Sequence, residues 1–276
     1  MMVQADTTVV AAEIEALRKT AVIIPARNEE QSIGLVLKDL PAVSRVIVVD
    51  NGSIDCTAKI AEAAGCVVVS EPIPGYGRAC LTGMSRLRSL VDDERIEIQY
   101  VAFVDGDYSD HPEELIAMVR LLDGDQMDFV LGSRMLGHRE PGAMPLQAVL
   151  GNWLACYLMR WVWDANYTDL GPFRVMRFDD LMQLGMQDLN FGWTIEMQIK
   201  AKLAKLRTVE TPASYRRRVG VSKISGTVSG TIRAGYKILY TIAKYAIQSR
   251  FGSPKKTVTA HGRDSAHEHE PAHEPA

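Results

Sequence analysis

Two carboxylates close an apolar run in Tyr100-Val101-Ala102-Phe103-Val104-Asp105-Gly106-Asp107. In an extended chain residues i and i+2 point the same way, so Asp105 and Asp107 converge on one spot where a strand ends. Gly106 between them takes up no side-chain space. Two hard oxygen donors at a sheet edge suit Mg²⁺ or Mn²⁺, above all an ion shared with substrate phosphates. The same letters also spell an ordinary Asp-Gly turn, and the octapeptide alone does not separate the two.

The hydrophobic pattern shows what must hold such a pair in place. Short runs that are apolar throughout read as buried strands at Ala21–Pro25, Arg45–Asp50, Cys66–Val69, Tyr100–Val104 and Met127–Gly132. Between them lie segments of helical period: Glu29–Leu40, Thr57–Ala64, Arg78–Leu90 and His111–Leu122. Apolar strands alternating with helices predict an α/β fold, a doubly wound, mostly parallel sheet flanked by helices. Ligands of such sheets sit outside the carboxyl ends of the strands. Five loops are expected to meet there: Arg27-Asn28-Glu29, Asp50-Asn51-Gly52-Ser53, Pro74-Gly75-Tyr76-Gly77-Arg78, Asp105-Gly106-Asp107 and Gly132-Ser133-Arg134. Together they look like a nucleotide site. The first strand runs into Pro25-Ala26-Arg27-Asn28-Glu29 where a dinucleotide-binding fold would place G-x-G-x-x-G, which argues against that class.

The second half loses the alternation. Helices are expected at Met144–Trp163, Trp193–Leu206 and Val228–Ser249, with short strands within Thr168–Met176 and at Thr208–Tyr215. The domain reading is an N-terminal helix over residues 1–20, a catalytic domain over 21–227, an amphipathic helix over 228–251 and a disordered tail over 252–276, whose composition cannot bury a core. The 276 residues carry a formal net charge of -3, so no global attraction to nucleic acid or to an anionic membrane is expected, and any basic patch must be local. Cys56, Cys66, Cys80 and Cys156 show no C-x-x-C spacing, which fits a reducing cytosol. No signal peptide is expected. Leu146–Trp163, interrupted by Gln147, Asn152 and Arg160, is too short and too polar to span a membrane.

In combination these motifs resemble an inverting glycosyltransferase of family 2 with the GT-A nucleotide-diphospho-sugar transferase fold, and most of all its dolichyl-phosphate mannosyltransferase (polyprenyl-phosphate glycosyltransferase) branch. The resemblance rests on Ile24-Pro25-Ala26-Arg27-Asn28-Glu29, Val49-Asp50-Asn51-Gly52-Ser53-x-Asp55-x-Thr57, Gly75-Tyr76-Gly77-Arg78-Ala79, Asp105-Gly106-Asp107, Gly132-Ser133-Arg134, Asp169-Leu170-Gly171-Pro172-Phe173-Arg174 and the basic Gly220-x-Ser222-Lys223 segment. It implies a hexose moving from a UDP- or GDP-sugar to a polyprenyl phosphate, with Mg²⁺ or Mn²⁺ held by Asp105 and Asp107. Ser109 stands where the branch often has glutamine, which leaves a third protein ligand open. Tyr76 stands where it often has lysine. The carboxy-terminal membrane spans of many members are not found here. The protein is expected in the cytoplasm; peripheral contact with the cytoplasmic membrane face, direct or through a partner, is left open by the sequence.

The resemblance also assigns roles. Pro25, Arg27, Glu29 and Asp50 would line the nucleoside, and Gly75, Gly77 and Arg78 would admit backbone N–H groups to the donor. Each assignment has a plainer rival: Asp50 as a helix cap, Glu29 as a first-turn charge favoured by the helix dipole, Gly75 and Gly77 as a flexible turn. Arg134 and Arg174 are either phosphate ligands or surface arginines. Asp169 is a turn former or an acceptor-side carboxylate, and Glu196 faces the sugar or water. Arg216, Arg217, Arg218 and Lys223, interrupted by Gly220 and Ser222, read as a loop folded over anions. On the last helix Arg233, Lys237 and Lys244 share one side and Ile238, Leu239, Ile242 and Ala246 the other, a pattern that fits a membrane interface and domain packing alike. Two rivals to a lipid-phosphate acceptor remain: a soluble hydroxyl acceptor, with Asp169 or Glu196 as base, and a sugar-nucleotide-binding scaffold without turnover.

Overall fold

A computed structural model describes residues 11–123, 127–220 and 228–251, with side chains of 228–234 and 251 left aside. Ser222 and Lys223, the first ten residues and the proposed tail fall outside the described residues. Helix α1 spans residues 11–18. It is followed by β1 (Thr20–Ala26), α2 (Ile33–Asp39), β2 (Arg45–Asp50), α3 (Thr57–Ala63), β3 (Val67–Ser70), α4 (Tyr76–Glu94) and β4 (Tyr100–Phe103). A 3₁₀ turn, Pro112–Glu114, then leads into α5 (Leu115–Leu122), β5 (Phe129–Ser133) and α6 (Leu146–Trp163). The chain ends with β6 (Arg174–Arg177), α7 (Phe178–Gln183), α8 (Trp193–Leu203), β7 (Thr208–Pro212) and α9 (Val228–Phe251).

The strands form one seven-stranded sheet in the order β3-β2-β1-β4-β6-β5-β7. β1 pairs in parallel with β2 and β4, β2 with β3, and β5 with β7. β6 alone runs antiparallel, wedged between β4 and β5. Side chains of β1 alternate between the two faces: Ala21 and Ile23 enter a core with α4, α7 and α8, and Val22 and Ile24 a core with α2 and α5. Both faces are covered, which is why the strands are apolar throughout.

The five strand readings of the first half are met within a residue or two at their ends, while β6 occupies only the end of the Thr168–Met176 region and β7 stops three residues before Tyr215. Helix α7 has no counterpart in them, because Phe178–Gln183 is too short to show a helical period. α4 begins two residues earlier than its period suggests, which places Gly77 and Arg78 in its first turn. A third core lies between α6, α8 and α9, where Ala155, Cys156 and Met159 meet Ile195, Ile199, Ile242 and Tyr245. Packing therefore consumes the Ile238/Ile242 side of α9, one of the two roles its pattern allowed.

Candidate active site

Four loops follow the carboxyl ends of the adjacent parallel strands β3, β2, β1 and β4. They surround an open cleft of about 410 Å³. Of the residues singled out in the sequence, Pro25, Arg27, Glu29, Gly75, Asp105, Asp107 and Arg218 line it. Asn51, Tyr76, Asn190 and Phe191 line it as well.

Local hydrogen bonds set the loops. Asn28 adopts a left-handed backbone (φ 51°), its N–H donates to Ser53 Oγ at 2.9 Å, and its Oδ1 accepts from Ile54 N at 2.8 Å. Glu29 N–H donates to Thr57 Oγ1 at 2.7 Å. Asp50 Oδ1 accepts the Ser53 N–H at 3.1 Å. Asn51 is the clamp of the third loop: its Nδ2 donates to the carbonyls of Glu71 and Ile73, and its Oδ1 accepts from Gly75 N at 2.8 Å. The Asn-Gly pair is legible as a turn, but nothing local reveals that Asn51 reaches a loop 20 residues on.

The acidic pair is held from below and from across. Tyr76 Oη donates to Asp105 Oδ1 at 3.0 Å. Ser109 donates to Asp107 Oδ1 from its N–H at 2.9 Å and its hydroxyl at 2.5 Å. The two departures from the resembled branch thus each orient one of the two carboxylates. Arg218 Nη2 stands 2.9 Å from Asp107 Oδ2 and 3.4 Å from Glu29 Oε1. The basic segment reaches the pair because its backbone lies along the loop after β4: Arg216 N–H donates to Ser109 O, and Val219 N–H to Asp107 O. Arg216 stacks on the Tyr108 ring, 3.6 Å from its centroid, and donates to Asp110 O. Burial, and then the Asp107 charge, push the Asp105 carboxyl up to about 7. Asp110, behind the pair and 1% exposed, is pushed well up by burial and by the same two charges.

This donor set fits a divalent cation. Two carboxylates face one cleft, their mutual repulsion calls for positive charge, and a guanidinium already answers it. Among the described residues no group of three His, Cys, Asp or Glu side chains converges. An ion here would complete its shell with water and phosphate oxygens, as Mg²⁺ commonly does.

Several expectations meet a different geometry. Gly77 does not open the helix to a ligand: a Cβ there would fall 2.0 Å from Asp188 O. The first-turn N–H groups of Gly77 and Arg78 donate to the carbonyls of Asn190 and Leu189, so Gly77 is required by chain packing and Arg78 lies outside the cleft lining. Arg174 is fully buried. Its guanidinium donates to the carbonyls of Gly171, Pro172 and Thr194, and burial holds it below its ordinary value. It is neither a surface arginine nor a phosphate ligand. Arg134 is spent on Asp169, with Nε and Nη2 both 2.7 Å from the carboxylate. The position follows from topology: β6 intervenes between β4 and β5, so the loop after β5 sits two strands away from the acidic pair. Asp169 is itself 1% exposed and also accepts the Arg134 and Leu170 N–H groups. Glu196 faces neither sugar nor water. Its buried carboxylate accepts from Gln187 N, Asp188 N and Tyr245 Oη, and pairs with Lys200. Burial pushes it up, but the Tyr245 and Lys200 contacts outweigh this and hold it below the usual range.

A mixed sheet whose strand ends hold paired carboxylates over a nucleotide-sized cleft defines a GT-A-type sugar-nucleotide site. Residues 21–185 match the glycosyl transferase family 2, and the chain belongs to that family. An uncharacterized glycosyltransferase of Mycobacterium tuberculosis is 35% identical, over 77% of this chain and 93% of that one. A low-salt glycan biosynthesis hexosyltransferase of Haloferax volcanii is 26% identical, over 82% of this chain and 54% of its own length. The fold is shared with glucosyl-3-phosphoglycerate synthase of M. tuberculosis, solved with Mn²⁺, UDP and glucosyl-3-phosphoglycerate (TM-score 0.64, 20% identity, 90% of this chain and 84% of that one). It is shared too with mannosyl-3-phosphoglycerate synthase of Rubrobacter xylanophilus (TM-score 0.66, 16% identity, 90% and 80%).

Proposed function

We propose that this chain moves a hexose from a UDP- or GDP-sugar to a polyprenyl phosphate with inversion at the anomeric carbon, using Mn²⁺ or Mg²⁺. The observation that carries the donor half is the pair Asp105 and Asp107, set side by side in the cleft with a cationic side chain already on Asp107. Pro25, Arg27, Glu29 and Asp50 bound the nucleoside end. Asp105 and Asp107, aligned by Tyr76 and Ser109, hold the ion, which when bound supplies charge neutralisation to the departing diphosphate. Arg218 turns from Asp107 to the phosphates as the donor enters, and Ser222 and Lys223 follow it in sequence.

The acceptor half rests on which carboxylates are spare. A hydroxyl acceptor needs a positioned base, whereas a phosphate is ionised at neutral pH. Asp169 is locked to Arg134, and Glu196 is locked outside the cleft. Among the described residues the carboxylates lining the cleft are Glu29, Asp105 and Asp107, all on the donor side. A second reading, transfer to a soluble phosphorylated hydroxyl acceptor, is favoured by the phosphoglycerate synthases that share the fold.

Radiolabelled UDP-glucose and GDP-mannose, Mn²⁺, and either polyprenyl phosphate or 3-phosphoglycerate separate the two. Labelled lipid is expected. Label in phosphoglycerate alone overturns the acceptor assignment. Turnover retained in the double variant Asp105→Asn/Asp107→Asn overturns the metal site. Donor binding without turnover on any acceptor would make the protein a scaffold.

A further inference from the structure

The longest apolar stripe left unpartnered by the fold is on α6; α9, whose sequence pattern suggested a membrane contact, exposes Tyr236, Leu239, Tyr240 and Ile247 beside its packed side. At 100° per residue, Leu146, Leu150, Trp153, Leu154, Tyr157 and Trp161 fall within a sector roughly 100° wide. Trp161 is 78% exposed, Leu146 71%, Trp153 63% and Leu150 58%. Asn152, Ala155, Cys156 and Met159 on the opposite side are buried, so α6 is anchored by one face and bare on the other. Scattered surface apolar residues need no explanation, but a continuous stripe of six marks an interaction surface.

Charge and side-chain type identify the partner. Residues 146–163 and 228–251 contain no Asp or Glu, while they carry Arg160, Arg233, Lys237, Lys244 and Arg250, in a chain whose net charge is -3; Lys237 is paired with Asp188 at 2.9 Å, and one exposed carboxylate, Asp164, directly follows α6. α6 and α9 pack together, and Trp163 Nε1 donates to Ser249 Oγ at 3.2 Å. That contact brings the ends of the two helices together, and with them the exposed Arg160 and Arg250. Trp153 and Tyr157 stack at 5.7 Å, and Tyr236 and Tyr240 on α9 at 6.3 Å. All four rings are more than half exposed or close to it, at 63%, 55%, 70% and 50%. Trp and Tyr rings, leucines and flanking cations in excess of carboxylates are what the headgroup boundary of an anionic bilayer selects. A second copy of the chain would instead bring these like charges together. Among the described residues no helix is long and apolar enough to cross a membrane.

We infer that the bare stripe of α6, flanked by Arg160 and by Arg250 of α9, docks flat on an anionic phospholipid surface. This deepens the lipid-acceptor reading and rests on it only for what the docking serves. The opposite side of α6 is fixed through the buried Asn152, which donates to Thr168 O and accepts from Leu170 N beside the Arg134–Asp169 pair.

The test is sedimentation of the full chain with vesicles of phosphatidylcholine alone or mixed three to one with phosphatidylglycerol, in the absence of any sugar donor. Failure here is therefore separate from failure of transfer. Binding to the mixed vesicles is expected, with partitioning at least tenfold weaker on neutral ones. The combined Trp153→Ser and Trp161→Ser variant should lose at least tenfold on the mixed vesicles, while its affinity for Mn²⁺-UDP stays that of the native chain, which establishes that it is folded. Absence of vesicle binding by the native chain overturns the inference. So does equal binding by the variant. A dimer of the native chain in solution that the same substitutions dissociate would assign the stripe to a second copy and also overturn it.

Discussion

Arg218 competes with the metal ion for Asp107, and its removal is expected to make the nucleotide-free protein a better metal binder and a worse donor binder. The guanidinium lies 2.9 Å from Asp107 Oδ2 and 3.4 Å from Glu29 Oε1. A pair at that separation and an effective dielectric of ~20 has a gross attraction of several kcal/mol. Arg218 is 28% exposed, so solvent screening and desolvation reduce the net to about 1–2 kcal/mol. An ion approaching the two acidic residues must first displace that contact. Arg218→Ala should therefore tighten Mn²⁺ binding roughly tenfold, since about 1.4 kcal/mol is a factor of ten. It should also weaken Mn²⁺-UDP by a comparable factor, because the charge that would turn to the diphosphate is gone. Arg218 also helps keep Asp105 ionised, so the comparison belongs at pH 8.5, where loss of that support costs little. The loss of the free Mn²⁺ electron paramagnetic resonance signal on titration reads the first quantity, and calorimetry with UDP reads the second. Arg218→Lys, which keeps the charge, should fall between. Mn²⁺ affinity unchanged or reduced in Arg218→Ala would refute the competition.

The raised Asp105 carboxyl predicts that Mn²⁺ affinity, followed by the same titration, climbs with pH up to about 7 and levels off above it, because the ion requires the ionised form. The folded state keeps this proton to about 7 while the unfolded chain gives it up near the ordinary carboxylate range. Its contribution therefore lowers metal-free stability as pH rises between those values, which thermal melts across that range would detect. Gly77→Ala forces a Cβ to within 2.0 Å of Asp188 O, so the 188–190 segment must move. About 1–3 kcal/mol of stability should be lost, with weaker nucleotide binding because Asn190 lines the cleft; calorimetric melting and UDP titration measure the two. Glu196→Gln removes a buried charge that holds Lys200, Tyr245 and the N–H groups of Gln187 and Asp188. It should cost about 1–3 kcal/mol by denaturant unfolding, yet leave kcat within about twofold. A kcat loss of several hundredfold would return Glu196 to catalysis.

The sequence reading holds wherever a residue's role follows from its own strand. Asp105 and Asp107 continue β4, Pro25 and Arg27 end β1, and period-two geometry alone places them at the carboxyl edge. It breaks down where a role depends on which strands are neighbours. Arg134 has the same local credentials as Asp105, a loop directly after an apolar strand, and still has its guanidinium bound to Asp169 instead of lining the cleft. Glycine presents the same difficulty: Gly75 and Gly77 look alike in the sequence, but the carbonyls of Asp188 and Leu189, more than a hundred residues on, determine what they are for. A polar residue such as Glu196 or Arg174 carries no sign of being buried, because its partners are backbone groups supplied by other segments.

What the sequence determined by itself was local: the period of each element, the abrupt change from apolar to acidic after Val104, and the family those motifs mark. Tertiary structure decided the order of the strands. Insertion of antiparallel β6 between β4 and β5 gave Arg134 to Asp169 instead of the cleft lining, so that it acts on Asp105 only through its charge. Pairing of the 215–219 backbone with the 107–110 loop brought Arg218 onto Asp107. Packing likewise chose which apolar residues turned inward, taking Ile238 and Ile242 of α9 and Ala155, Cys156 and Met159 of α6 and leaving the second apolar face of α6 bare. Side-chain period says that a helix has two faces; only the neighbours available to it decide which of them meets water.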